Sequence, residues 1–274
     1  MAGETPLPKT AVRIMGILNT TPDSFSDGGH HFSGQAALKQ AEAMIAAGAD
    51  IIDIGGESSR PYAEPVSTEE ELRRVIPVIR EIRKRYTTPI SIDTTKAAVA
   101  GEALAAGADI INDISALHKD KEMLGLLKTT TAPVVIMHMQ GTPETMQIEP
   151  HYDDVVEEIL EFFQERIDWV EENGVSRDRL ILDPGIGFGK TRQHNLTILK
   201  HLNRFSRLGL PVLLGHSRKR FLGDITGLDP LHRDLPTAVV SALAAAQGVA
   251  IIRVHAVAAT RQALLIAEAI RNAP

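Results

Sequence analysis

Ala46-Ala-Gly-Ala-Asp-Ile-Ile-Asp53 and Ala105-Ala-Gly-Ala-Asp-Ile-Ile-Asn112 are nearly the same eight residues, occurring twice. Each reads as the last turn of a helix, a glycine able to close it in a left-handed conformation, and the start of an apolar strand. One supersecondary unit therefore recurs. Outward from it, the whole chain alternates strand-like apolar runs with longer helix-like segments. Eight runs read as strands: Val12–Leu18, Asp50–Ile54, Ile90–Asp93, Asp109–Asp113, Val134–His138, Leu180–Asp183, Pro211–Gly215 and Ala250–His255. Such runs suit strands covered on both faces, as in a parallel sheet. Eight of them with intervening helices predict an α/β fold of the (β/α)8 or TIM barrel class. An open doubly wound sheet would carry fewer strands and a glycine-rich nucleotide turn after the first.

The helices read as amphipathic covers. In the first, Ala37, Ala41, Met44 and Ile45 share a face and Gly48 supplies the cap. The next opens at Thr68, with Glu71 completing a capping box, and runs on through Leu72, Val75, Ile76 and Ile79, with a kink expected at Pro77. Val155–Trp169 repeats the pattern, its acidic residues forming a solvated face, and Val257–Arg271 closes the ring.

With 274 residues and no linker-like stretch, the chain is expected to be a single domain over 1–274, since α/β barrels of about 250 residues form one unit. Residues 1–10 read as a flexible terminus. A net charge of -6 with mixed signs argues against a nucleic-acid binder, which would show a basic stripe. The absence of cysteine excludes disulfides and thiolate chemistry. No apolar run has the length of a signal peptide or a membrane span, so the expectation is a soluble, cytoplasmic protein without a membrane partner.

What stands at the strand ends is more informative. In order come Asn19, Asp53 with Glu57, Asp93, Asn112 with Asp113, His138, Asp183, the run Ser217-Arg218-Lys219, and Arg253 with His255. A satisfied polar group or helix cap explains any one of these at least as well as a function does. All eight strands ending this way is harder to dismiss, because a barrel gathers its strand ends at the C-terminal mouth, where such enzymes build their sites. Asp93, Asn112 and Asp183, among Ile92, Ile111, Met137 and Leu182, suit a flat heterocycle with adjacent N–H donors; a 2-amino-4-oxo pyrimidine edge fits. Such carboxylates need a partner, and the ligand edge or Lys219 supplies one. Arg253 can lie on a ring face, while its fork and His255 can hold phosphate oxygens. Arg60 adds a further positive charge.

The first strand runs into Met15-Gly-Ile-Leu-Asn-Thr-Thr-Pro-Asp-Ser-Phe-Ser-Asp-Gly-Gly29, and the second into Asp53-Ile-Gly-Gly-Glu-Ser-Ser-Arg-Pro61. A solvated connection explains the composition of Thr20–Gly29, but not its length or Phe25; long loops in compact domains tend to be lids or binding loops. Both stretches closely resemble signatures of dihydropteroate synthase, the folate-pathway member of the pterin-binding enzymes, and the resemblance runs from about Arg13 to His255. It implies a transferase joining 4-aminobenzoate to a dihydropterin diphosphate, and residue roles by match. Asp93, Asn112, Met137, Asp183, Phe188, Gly215, Lys219 and Arg253 would hold the pterin. Asn19, Arg60, Arg253 and His255 would hold the diphosphate, with Asn19 touching Mg2+. Phe25, Ser59, Pro61 and Arg220 would line the aminobenzoate site, and Asp27, Arg60 and Lys219 would act at the reacting carbon. The resemblance also implies a homodimer. Ser59 stands where many members have Thr, Tyr62 where many have Gly, and Arg220 where others carry Ser.

Three other readings compete with this one. Pro184-Gly-Ile-Gly-Phe-Gly-Lys-Thr191 looks like a phosphate-binding P-loop, but that motif needs Gly at 184, so a turn after the sixth strand is the better reading. A metal-dependent barrel hydrolase would use His138 and His255, yet Ile14-Met-Gly-Ile17 supplies no His pair. A pterin-binding methyltransferase-type module would lack an anion-holding rim, and Arg60, Lys219, Arg253 and His255 together favour the synthase.

Overall fold

The computed structural model describes residues 11–20, 30–58, 64–142, 145–146 and 148–274, with no side chains for 30–33. Phe25, Asp27, Ser59, Arg60, Pro61 and Tyr62 therefore lie outside the described residues. All eight expected runs are strands: β1 (Arg13–Asn19), β2 (Ile51–Gly55), β3 (Ile90–Asp93), β4 (Ile110–Asp113), β5 (Val134–Met137), β6 (Leu180–Asp183), β7 (Leu213–Leu214) and β8 (Ile251–Val254). They pair in parallel in the order β6-β5-β4-β3-β2-β1-β8-β7, and a parallel bridge from Leu182 to Val212 joins the two ends. The fold is a (β/α)8 barrel. Among the described residues its helices are α1 (His30–Ala46), α2 (Thr68–Arg85), α3 (Ala97–Ala106), α4 (Glu122–Thr129), α5 (Val155–Glu172), α6 (Arg192–Lys200), α7 (Arg220–Thr226), α8 (Asp234–Ala245) and α9 (Val257–Arg271). One of them, α7, is additional to the eight that alternate with strands.

The alternation of a strand sorts its residues between two cores. Ile14, Leu18, Ile52, Ile54, Ile92, Ile111 and Ile136 pack outward against the helices. Met15, Ile51, Ile110, Val135, Ile181, Leu213 and Ile251 form a separate apolar plug inside the ring. Two positions further along the same inward phase stand Asp53, Asn112, Met137, Asp183, Gly215 and Arg253. Asp93 follows the buried Ser91 in the same way. The plug is thus the floor of a polar chamber, and one shift of register would turn every chamber residue out toward the helices.

The repeated stretch forms the same structure twice. Gly48 and Gly107 take φ of 96° and 112°, and Ala49 N and Ala108 N donate to Met44 O and Ala103 O at 2.9 Å in each case. Asp50 then accepts from Ile14 N at 2.9 Å, and Asp109 from Ile90 N at 2.8 Å, so each aspartate ties its strand to the preceding one. An arginine from a neighbouring helix completes each unit. Arg261 donates to Gly48 O and Asp50, and Arg83 to Gly107 O and Asp109.

Two local expectations change. The cap of α2 is Ser67, one residue before the expected Thr68, and its side chain accepts from Glu70 N at 3.2 Å. Glu71, expected to close the capping box, is instead buried and takes Lys96 Nζ at 2.5 Å. A helix entering from its glutamate-rich first turn can be capped by either hydroxyl, and burial of Glu71 against a cation selects the earlier one. The helix α2 continues through Pro77 to Arg85.

The two arginines of the repeat differ in burial, and their energies should differ with it. Arg261 is fully buried with Asp50 at 2.5 Å, whereas the Arg83–Asp109 pair is 28% and 50% exposed. In urea unfolding, Arg261→Met should cost about 3–5 kcal/mol because it strands a buried carboxylate, and Arg83→Met no more than about 1–2 kcal/mol. Equal losses would show that burial does not separate the two units.

Candidate active site

Arg253, the third residue of β8, stands at the centre of the chamber. Its Nε donates to Asp53 Oδ2 and its Nη2 to Asp93 Oδ2, both at 2.6 Å. Asn112 Nδ2 lies 3.3 and 3.5 Å from the two oxygens of the same, fully buried Asp53. Strands β2, β3 and β8 are therefore tied through one guanidinium, and β4 joins them through Asp53. Two carboxylates this close would repel if left alone; the shared cation removes the conflict and fixes its own fork. Burial works against the charge on Arg253, but Asp53 and Asp93 outweigh it and hold the guanidinium protonated more firmly than usual. Burial pushes Asp93 up to about 7, with Arg253 pulling the other way. Among the described residues these bonds use two of Arg253's five N–H donors. The sequence shows Asp53 at a strand end without a role; its place two residues past a plug isoleucine is the signal that finds it.

Asp183 forms the opposite wall. It is buried, which raises its carboxyl, and its Oδ1 accepts from Gly185 N at 2.8 Å. Gly215 keeps the chamber open between the walls: a Cβ there would sit 3.5 Å from Asp183 Oδ2 and 3.9 Å from Arg253 Cδ, so any longer side chain would fill the ligand space. Met137, buried and in register with Asp183, supplies apolar lining.

The turn Pro184–Lys190 carries Phe188, whose ring lies 4.0 Å from Lys219 Nζ. Gly185, Gly187 and Gly189 all have positive φ, and Cβ atoms at 185 and 189 would collide with the His138 and Gln140 backbone. The turn's polar groups are met by side chains. Lys190 donates to Phe188 O at 2.9 Å, Tyr152 to Gly189 O at 2.9 Å and Lys219 to Ile186 O, while Asn195 accepts from Gly187 N at 2.7 Å. Lys190 is buried against His138 Nδ1 at 3.0 Å, and burial lowers its amine well below the usual lysine range. A P-loop lysine reaches for phosphate; this one is spent on holding the turn.

Lys219 and His255 face the chamber from its remaining side. Burial lowers Lys219 to about 7, with Asp183 opposing. His255, just past β8, is bound by Ser217 Oγ, which lies 2.9 Å from Nδ1 and accepts from His255 N at 3.2 Å. With Ser217 donating to Nδ1, the neutral ring carries its proton on Nε2, a donor suited to an anion.

Other expected residues are placed elsewhere or apart. Asp113 alternates outward and holds the next turn, accepting from Ser115 N, Ser115 Oγ and Leu117 N. Glu57 pairs with Lys96 at 2.5 Å. Arg220 opens α7 with its side chain 87% exposed, 3.7 Å from Asp224. Asn19 ends β1 in register with Gly55, partly exposed. Among the described residues, no three His, Cys, Asp or Glu side chains converge as a metal site, and His138 is engaged with Lys190 rather than with His255.

The chamber thus pairs acceptors for an N–H edge with cations for an anion, and its residues fall within a wider match. The family described as pterin binding enzyme matches residues 15–255. The chain belongs to the pterin-binding enzymes. Among its relatives in this family, the dihydropteroate synthase of Synechocystis sp. is 48% identical over 258 residues, which is 94% of this chain and 89% of that one. The solved structure of Xanthomonas albilineans dihydropteroate synthase with 4-aminobenzoic acid matches at a TM-score of 0.91 and 46% identity, covering 96% and 94% of the two chains. The same bacterium's synthase in complex with 7,8-dihydropteroate matches at 0.87 and 45%, covering 96% and 95%. Pterin-binding enzymes of this kind share the barrel described above.

Proposed function

We propose that this chain condenses 6-hydroxymethyl-7,8-dihydropterin diphosphate with 4-aminobenzoate, giving 7,8-dihydropteroate and diphosphate, as a dihydropteroate synthase of folate biosynthesis. The observation that carries the reading is the meeting, at Arg253, of an acceptor-rich chamber with a cationic rim. Asp93, Asn112 and Asp183 take the N–H edge of the pterin, Met137, Phe188 and Gly215 shape its slot, and Lys219 and Arg253 border its ring. His255, Arg253, Arg60 and Asn19 hold the diphosphate. Phe25, Ser59, Pro61 and Arg220 take the aminobenzoate, the last by its guanidinium toward the carboxylate.

No protein nucleophile is required. The C–O bond to the diphosphate breaks with its electron pair leaving on oxygen, the aminobenzoate nitrogen forms the C–N bond, and that nitrogen gives up a proton. The electron-rich dihydropterin bears the developing positive charge, while Lys219, Arg60 and His255 stabilise the departing anion and Asp27 borders the reacting carbon. A lone amide oxygen from Asn19 fits Mg2+ that arrives on phosphate oxygens better than a resident metal, which would need a fuller set of oxygen ligands. When bound, Mg2+ would supply positive charge beside the leaving oxygens.

The reading carries with it a cytoplasmic enzyme working as one barrel domain over 1–274 and as a homodimer. What supports the dimer is an apolar stripe on α8, where Leu235, Val239 and Leu243 recur every four residues and are 74%, 52% and 63% exposed, beside Ile266 and Ile270 on α9. No helix among the described residues is long and apolar enough to cross a membrane.

Two experiments test these statements. In the first, dihydropteroate formation is assayed and ligands are titrated by calorimetry. Asp183→Asn should cost on the order of 1–3 kcal/mol in binding a pterin without diphosphate, because it turns a donor toward an N–H edge. His255→Ala should spare that ligand and weaken the diphosphate substrate. No dihydropteroate from the unaltered chain, or equal losses for both ligands in His255→Ala, would overturn the assignment. In the second, sedimentation should give a dimer for the unaltered chain and a monomer for Leu235→Glu/Leu243→Glu; a monomer in both would exclude the stripe as a self-association face.

A further inference from the structure

The turn His216–Lys219 brings Lys219 to the chamber and, through Ser217, holds His255 at its rim, and its backbone is strained between the two contacts. Arg218 has φ of 58°, in the left-handed region that arginine seldom adopts. Ser217 before it fixes His255, and Lys219 after it reaches Phe188 and Ile186. The strain is held from one helix. Arg218 grips Asp234 at the start of α8 with two bonds, Nε to Oδ1 at 2.6 Å and Nη2 to Oδ2 at 2.9 Å. Arg218 N donates to Thr237 Oγ1 at 3.1 Å. Arg233 Nη1 donates to Arg218 O at 3.0 Å and reaches Lys219 O at 3.4 Å. His216 Nε2 donates to Thr237 O at 2.9 Å. Every residue of the turn except Ser217 is thereby tied to α8 or to the residue just before it.

We propose that Arg218 is a positioning residue: its fork on Asp234 holds the left-handed turn that aims Lys219 into the pterin chamber and Ser217 at His255. This inference rests on the roles given above to Lys219 and His255. A planar, two-bonded ion pair has the geometry that a scattered surface pair lacks, so it can fix a backbone conformation rather than only add charge. Arg218 itself is directed at α8 and not at the chamber.

The test compares Arg218→Ala, Arg218→Gly and Asp234→Asn in the full chain. Inorganic pyrophosphate with Mg2+ is titrated by calorimetry, KM and kcat are measured for condensation, and melting temperatures are recorded. Alanine loses the fork and keeps the left-handed penalty, so pyrophosphate affinity should fall about tenfold and KM for the diphosphate substrate rise to match, with kcat moving less. Glycine enters this region without penalty and should recover most of that loss. Asp234→Asn should act like Arg218→Ala, although it leaves the guanidinium charge in place. If Arg218 served only as a positive charge for the anion, the two changes would act with opposite signs. Opposite signs, a glycine variant no better than alanine, or losses that merely track the melting temperature would each overturn the proposal. A chain that binds pyrophosphate but forms no dihydropteroate would sink the synthase reading alone, since the order of variants in the titration still decides this one. An unaltered chain that binds no pyrophosphate would overturn both.

Discussion

Arg253 shared between Asp53 and Asp93 is the interaction on which the chamber depends. Two carboxylates on adjacent strands of a barrel, both turned inward over an apolar plug, would be costly if each were charged and alone. A guanidinium from β8 meets both at 2.6 Å and so converts a repulsion into a brace across the ring. It also sets what a ligand encounters. Asp53 spends its oxygens on Arg253 and Asn112, which leaves Asp93 and Asp183 as the carboxylates beside the ligand space. The same group thus belongs to the stability of the mouth and to its chemistry, and a ligand with an N–H edge and an anionic tail completes the set.

The cations around this brace are held by side-chain bonds to the backbone of two turns and by one further ion pair, Arg218 with Asp234. Carbonyls and amides of the turn Pro184–Lys190 are met by Lys190, Tyr152, Lys219 and Asn195, which leaves a glycine-rich segment with little freedom. The turn His216–Lys219 is held from α8 in the same spirit. Binding elements on loops gain precision in this way, since a loop whose polar groups are satisfied by side chains from several elements has fewer ways to open.

Much of this was legible in the sequence because it follows from short-range rules. The eight strands appeared as apolar runs, and the repeated Ala-Ala-Gly-Ala-Asp stretch marked a unit whose glycine caps and aspartate ties recur bond for bond in the structure. Strand ends named most of the chamber for the same reason: alternation carries a residue two past a buried isoleucine into the same interior. Tertiary pairing was not legible. Alternation places Asp53 inside, but its bond to Arg253, two hundred residues away, could not be read from spacing, and neither could that of Lys190 to His138. Asp113 was drawn toward the mouth by adjacency to Asn112, although alternation turns it outward. Ser67 displaced Thr68 as a cap because Glu71 is buried against Lys96, a contact between separate helices.

The account rests on Asp53 and Arg253 acting as one unit, and a double-mutant cycle measures that directly. Asp53→Asn, Arg253→Met and the double variant are compared in calorimetric affinity for a pterin without diphosphate. If the brace organises the chamber, the double variant should lose little more than the worse single one, a coupling of about 1.4 kcal/mol or more, since contacting residues of one network are not additive. Losses that simply add would contradict it, and would leave Arg253 as an independent ligand contact beside an incidental carboxylate.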